Sequence, residues 1–324
     1  MNKHFWRGRS VLITGFAGFL GSNLTKALVY GGAKVVGLDI KVRRKETILT
    51  VADYRRMTII KGSVTNYRLL EDILTRKKIN VVFHLAAEAI VGRCHNNPRR
   101  TFSVNVKGTW NILEACRNSK TVKSIVIASS DKAYGSHKKL PYMEDAPLIG
   151  NHPYDVSKSC ADLIAYTYFH TYGLPVAVTR CGNIYGPGDF NFSRIIPNAM
   201  QCIKNNKTLL IRSDGRFVRD YVYVDDIVEG YILLAEKLEA QQLAGQAFNF
   251  SIENPITVQE LLKQIDGVGV RYGKLEYKIL NAAEYEIKKQ YLSSAKARNI
   301  LGWKPKHNLS QGLQKTISWY LDNI

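Results

Sequence analysis

The sequence predicts an α/β protein: a doubly wound, mostly parallel sheet followed by a smaller C-terminal α/β domain. Two observations predict it. Through the first half of the chain, short runs rich in Val and Ile alternate with longer stretches of helical periodicity, the order that builds a parallel sheet from βαβ units. Those short runs are almost continuously apolar, which suits strands covered by helices on both faces.

Taken in order, strands are expected at 10–14 (SVLIT), 34–38 (KVVGL), 57–60 (MTII), 80–84 (NVVFH), 122–128 (VKSIVIA) and 175–179 (PVAVT). Amphipathic stretches at 21–30, 67–76, 104–118 and 154–172 supply the intervening helices. Beyond residue 182 the pattern loosens into a Gly/Pro cluster, GNIYGPGD at 182–189. The run at 246–250 (QAFNF) reads as one more strand, returning to the main sheet. The expected division is therefore 1–182, rejoined by about 220–250, and a second domain over 183–324.

With 324 residues, 45% hydrophobic and 23% charged, the composition is that of a folded globular chain with one large or two unequal domains. No apolar run approaches the ~18 residues of a membrane-spanning helix. The start, MNKHFWRGRS, lacks the apolar core of a signal peptide. The five cysteines (94, 116, 160, 181, 202) have neither CxxC nor metal-ligand spacing. Reduced thiols, a cytoplasmic location and no metal are the expectations. The formal charge of +19 favours acidic partners, whether metabolites or nucleic acid. Its lysines and arginines are scattered in short clusters (41–45, 76–78, 138–139, 288–289), with no aromatic-interleaved RNA motif. A nucleic-acid-binding protein is therefore the weakest of the functional readings.

The first strand runs into Thr14-Gly15-Phe16-Ala17-Gly18-Phe19-Leu20-Gly21, a TGxxGxxG loop that opens a helix. Glycines there let a pyrophosphate approach the backbone, and the helix N-terminus offers unpaired N–H groups to it. The strand–loop–helix context is the one a dinucleotide site of the Rossmann type requires. The second strand ends in Asp39, whose carboxylate can bind the ribose hydroxyls and would repel a 2′-phosphate, so NAD is favoured over NADP. Further on, Tyr154-Asp155-Val156-Ser157-Lys158 reads YxxxK on an expected helix. At i and i+4 the two side chains share one face, about 6 Å apart along the axis. A tyrosine is a poor base near neutral pH, and an adjacent ammonium favours its phenolate.

The fifth strand ends in SSDKAYG, two hydroxyls followed by an acid and a base. With the glycine loop and YxxxK in this order, the chain resembles the extended short-chain dehydrogenases/reductases that act on nucleotide sugars. HLAAEA (84–89), SVNVKGTWNILEA (103–115), TRCGNIYGPGD (179–189), VRDYVYVDD (218–226) and LGWKP (301–305) carry the likeness over nearly the whole length. It implies an NAD site formed by Gly15, Gly18, Phe19, Leu20, Gly21, Asp39, Ile40, Ser63, Val64, Leu85, Ala86, Ala87, Tyr154 and Lys158. It implies Tyr154 as base, Lys158 as its partner and Ser130 on the sugar C4 oxygen. Glu88, Asn183, Arg194 and Arg219 would complete the substrate site, with Asn183 and Arg219 on the diphosphate. Ser63 and Ser293 stand where the family usually has aspartates.

Two reactions fit this machinery. A 4-epimerase needs only hydride removal and return at C4. A 4,6-dehydratase must also remove the C5 hydrogen and protonate the leaving C6 hydroxyl, which calls for further ionisable groups. Asp131 and Lys132 follow Ser130 and can supply them: Asp131 as the acid at C6, Lys132 as the C5 base or as a positioning cation. Hydroxyl–Asp–Lys, the start FWRGRSV and HPYDVSKSCADL (152–163) resemble the CDP-glucose 4,6-dehydratases. The Trp-rich insertion usual before the tyrosine is missing, and GNIYGPGDFNFSRIIP is only partly similar, so nucleotide and sugar stay open. The expected activity is an NAD-dependent nucleotide-sugar 4,6-dehydratase, with 4-epimerase as the alternative. The helices near 101–117 and 153–172 imply, by the same resemblance, a homodimer.

Overall fold

The structure, a computed structural model of the chain, describes residues 1–42, 46–240, 242–269, 273–283 and 286–323. The basic residues at 43–45 thus lie outside the described residues. Six parallel strands form in the first 181 residues: β1 Ser10–Thr14, β2 Lys34–Asp39, β3 Thr58–Lys61, β4 Val81–His84, β5 Ser124–Ala128 and β6 Val176–Cys181. The strand Ala247–Phe250 adds to β6, with Phe248 opposite Thr179, so the run at 246–250 does return to the main sheet. The seven-stranded order is Ala247–Phe250, β6, β5, β4, β1, β2, β3. The strand order reverses between β1 and β4, where α/β sheets open a crevice at the carboxyl ends of their strands.

Burial follows the sequence pattern. β1 and β4 are almost wholly buried, because helices cover both faces. One core cluster places the Phe19–Tyr30 and Val224–Ala240 helices on one side of the sheet, and another places Tyr67–Arg76, Gly108–Arg117 and Pro153–Tyr172 on the other. A third gathers Ile196, Met200, Leu261, Leu262, Leu313 and Ile317 beneath the short strand pairs of the C-terminal part.

Local chemistry sets the helix ends. Asn66 caps the Tyr67–Arg76 helix by accepting from Leu69 N. Pro153 opens the long helix to Tyr172, and Gly173 closes it in the left-handed region (φ 66°). The helix expected at 104–118 differs: residues Ser103–Lys107 form a π turn and the α-helix proper is Gly108–Arg117. The wider turn turns Asn105 inward, where it is 2% exposed and hydrogen-bonds both the loop after β4 and the Pro153–Tyr172 helix.

Candidate active site

The carboxyl ends of β1, β2, β4 and β5 meet at one edge of the sheet, and the expected site residues collect there. Gly15 has φ 73°, and a Cβ on it would stand 2.8 Å from Ala86 N, so the β1 loop and the loop after β4 touch backbone to backbone. A Cβ on Gly21 would overlap the Gly15 carbonyl. Gly18 is the N-cap of the Phe19–Tyr30 helix and offers no capping side chain, which leaves the first-turn amides to an anion. Asp39, 6% exposed at the end of β2, accepts from Ala17 N at 3.3 Å and from Lys41 N at 3.0 Å. Its carboxylate is thus tied under the glycine loop, and these residues fit a dinucleotide whose ribose lies beside Asp39.

The remaining loop residues form the rim of this cradle. Leu85 N bonds Thr14 O, and Ala86 N donates to Thr14 Oγ1 at 3.2 Å. Ala87 follows on the same loop. Ser63 Oγ pairs with Thr65 Oγ1 at 2.8 Å rather than with a neighbouring element. Val64 is buried against Gly108, and Ile40 stands exposed at the mouth.

A hydrogen-bonded chain fixes these two loops and was not legible beforehand. Thr14 Oγ1 accepts from Ala86 N and donates to His84 Nδ1 at 2.8 Å, since the neutral ring carries its proton on Nε2. Thr109 Oγ1 donates to Asn105 O at 2.6 Å and receives the His84 Nε2 proton at 3.4 Å. Burial holds His84 down to about 3, so the imidazole is neutral throughout. Asn105 Nδ2 continues the chain to Ser157 Oγ at 2.9 Å.

Ser157 and Lys158 sit one turn past Tyr154 on the Pro153–Tyr172 helix. Lys158 Nζ donates to Ala128 O at 2.7 Å and lies 6.0 Å from the Tyr154 ring centre. Burial brings the Lys158 ammonium down to about 8. Burial pushes the Tyr154 phenol up, and its hydrogen bond with Ser130 and the charge of Arg194 oppose that shift. A nearby positive charge is thus what this phenol requires to act as a base.

Residues Asp131–Tyr134 form a single 3-10 turn whose N-cap is Ser130; its Oγ accepts from Lys132 N at 3.2 Å. The same hydroxyl donates to Asp131 Oδ1 at 3.0 Å. Asp131 is 5% exposed, and burial raises its pKa against the charges of Lys132 and Arg219 and the Ser130 hydrogen bond. One short turn therefore gathers a hydroxyl, a carboxyl group with raised proton affinity and a cation beside Tyr154.

The other expected substrate residues divide. Arg194 precedes the Ile195–Asn205 helix, pairs with buried Asp189 at 3.0 Å and lies 6.0 Å from the Phe19 ring, which places it beside both the glycine loop and Tyr154. Arg219 is 8% exposed, donates to Val218 O and Lys288 O, and approaches Glu286 at 3.9 Å. Asn183 lies on a short strand whose partner is Tyr221–Tyr223, and its N–H donates to Asp220 O at 2.9 Å. Glu88 is turned to Arg100, at 3.3 Å. Ser293, on a later segment, donates from Oγ to Glu253 at 3.1 Å and from its backbone N–H to Tyr142 O at 3.0 Å.

The seven-stranded sheet, the glycine cradle and the Ser–Tyr–Lys group define an extended short-chain dehydrogenase/reductase of the nucleotide-sugar epimerase and dehydratase class. Residues 12–316 match the family described as GDP-mannose 4,6 dehydratase, and the chain belongs to that family. Among its relatives, a UDP-glucuronate 4-epimerase of Thermodesulfobacterium geofontis is 31% identical over 97% of this chain and 96% of its own length. A CDP-glucose 4,6-dehydratase of Salmonella typhimurium is 28% identical, over 99% and 92%. The crystal structure of the dTDP-glucose 4,6-dehydratase from Bacillus anthracis, in complex with NAD, superposes with a TM-score of 0.86 at 30% identity, covering 98% of this chain and 97% of that one.

Proposed function

We propose that the protein is an NAD-dependent nucleotide-sugar 4,6-dehydratase that converts its substrate to a 4-keto-6-deoxy sugar nucleotide. The observation that carries this reading is the Ser130–Asp131 bond inside the 131–134 turn, which puts a carboxyl group of raised proton affinity next to the Tyr154–Lys158 pair. Residues 1–182 with about 220–250 are assigned to the dinucleotide, and the rest of 183–324 to the sugar nucleotide.

When bound between Gly15, Gly18, Gly21 and Asp39, NAD would accept the C4 hydride and return it at C6. Tyr154 takes the C4 hydroxyl proton, with Ser130 holding that oxygen and Lys158 favouring the phenolate. The resulting ketone acidifies the C5 hydrogen. Asp131 passes its proton to the departing C6 hydroxyl, and the carboxylate left behind takes the C5 proton. Asp131 gives that proton back to C5 when hydride would be returned at C6; the proton that Tyr154 took from the C4 hydroxyl then makes good the one lost with water. Lys132 steadies the charge on Asp131 as the proton moves. Arg194 and Arg219 are assigned to the diphosphate, with Asn183 beside them.

A second reading, 4-epimerase, is favoured by the UDP-glucuronate 4-epimerase relative, which shares nearly the full length. Incubation with CDP-, dTDP-, UDP- and GDP-sugars, followed by mass spectrometry, separates the two. Loss of one water supports the dehydratase; a product of unchanged mass overturns it. Trp110, Leu163 and Tyr166 are large exposed side chains on the Gly108–Arg117 and Pro153–Tyr172 helices, which supports a homodimer built on those helices. No helix among the described residues is long and apolar enough to cross a membrane.

A further inference from the structure

The loop between the short strand Asn183–Tyr185 and the Ile195–Asn205 helix carries two side chains of opposite charge and opposite exposure. The Asp189 side chain is 3% exposed, whereas that of Arg194 is 42% exposed. They meet directly: Arg194 Nη1 donates to Asp189 Oδ2 at 3.0 Å. The rest of the guanidinium takes no hydrogen-bond partner among the described residues. Its carbon lies 6.0 Å from the ring of Phe19, the first residue of the helix that follows the glycine loop.

The acid is fixed by its surroundings. Asp189 Oδ1 accepts from Asn191 N at 3.1 Å, and Asp189 O accepts from the Tyr320 hydroxyl on the Leu309–Asn323 helix. Two residues earlier, Pro187 O accepts from Asn23 Nδ2 at 3.1 Å. Asn23 belongs to the Phe19–Tyr30 helix, where the same amide donates to Phe19 O at 3.0 Å. On the other side of the acid, Arg194 N donates to Asn191 O at 2.9 Å. The loop is thereby pinned both to the helix that opens on the glycine cradle and to the last helix of the chain. A carboxylate held in this way does not follow a mobile guanidinium, so the guanidinium comes to it.

We propose that Asp189 is a positioning residue for substrate binding: it holds the Arg194 guanidinium beside the glycine loop and leaves its other N–H donors for the substrate diphosphate. The inference rests on the assignment of Arg194 to that diphosphate. A free arginine gives up much rotamer freedom when it takes hold of a phosphate, and one already ordered gives up less. A carboxylate that served only as a counter-charge would do the reverse. It would weaken the attraction of Arg194 for an anion, and its removal would tighten binding. The two roles therefore predict shifts of opposite sign.

The test is isothermal titration calorimetry on the full-length, NAD-loaded protein with CDP, UDP, GDP and dTDP, followed by variants with whichever binds the native protein most tightly. In Asp189→Asn the side chain keeps an acceptor for Asn191 N but puts an NH2 group, which cannot accept, where Oδ2 meets Arg194. Its Kd is expected to rise about tenfold. Arg194→Met is expected to raise Kd at least as much, and adding Asp189→Asn to it should raise Kd no further, because the acid acts through the cation. Asp189→Ser carries the same comparison if the asparagine variant does not fold. Unchanged or tighter binding in the neutral Asp189 variants overturns the proposal. So does a further loss in the double variant, which would mark a general role in the fold. Native-like binding in Arg194→Met would overturn the diphosphate assignment and this inference together. The calorimetry does not depend on the reaction catalysed: a chain that only epimerises would overturn the dehydratase reading and leave the Asp189 result standing.

Discussion

The Lys158 ammonium donates a 2.7 Å hydrogen bond to the Ala128 carbonyl, so the last residue of β5 sets where the cation stands relative to Tyr154. The bond anchors the Pro153–Tyr172 helix to the sheet end that carries Ser130. Lys158→Met is therefore expected to remove both the anchor and the charge that favours the phenolate. The rate of C4 oxidation should fall by about 10² or more, read as reduced-cofactor absorbance in a single turnover. An unchanged rate would show that Tyr154 does not depend on this cation.

Gly15 carries the contact between the two cofactor-side loops. Alanine there must adopt φ 73° with its Cβ 2.8 Å from Ala86 N. Strain and displacement together are expected to cost roughly 2 kcal/mol and to lower Tm by roughly 5 °C. Added NAD should stabilise Gly15→Ala much less than the native protein, as differential scanning fluorimetry would measure. Equal stabilisation by NAD would place the dinucleotide elsewhere.

Asp220 gives a pH dependence to stability. It is 2% exposed, and burial pushes its pKa up to about 7 against the backbone N–H groups of Glu253 and Asn254. The folded state holds this proton more tightly than the unfolded chain. The group's contribution is complete below the ordinary pKa of 3.8 and is lost as pH rises through about 7. Urea unfolding from pH 5 to 8 is expected to show native stability falling more steeply than that of Asp220→Asn. The difference should be on the order of a few kcal/mol at pH 8. Parallel slopes would mean that Asp220 is already ionised in the fold.

The sheet was readable because its signal is local. β-branched runs and helical periodicity give β1 and the Tyr67–Arg76 helix at their expected limits, and the other strands of the sheet within about two residues. The glycine loop was readable for the same reason, since its three glycines and the following helix are contiguous. What escaped is non-local. The buried Arg180–Asp162 pair, at 2.9 Å, joins β6 to the long helix and has no periodic signature. Glu144 Oε1 takes Asn249 N and Lys296 Nζ reaches Ala247 O, so two distant side chains cap the edge strand of the sheet. The π turn at Ser103–Lys107 depends on Asn105 satisfying two neighbouring segments, which the helical pattern of that stretch conceals.

C4 oxidation and water loss separate at Asp131, which serves only the second. Asp131→Asn, incubated with the nucleotide sugar that the native protein turns over, should still form reduced cofactor and a 4-keto sugar nucleotide that has lost two hydrogens but no water. Dehydrated product should drop by about 10² or more, measured by mass spectrometry alongside absorbance. Dehydration at the native rate in Asp131→Asn would contradict the assignment of the acid and, with it, the role given to the 131–134 turn.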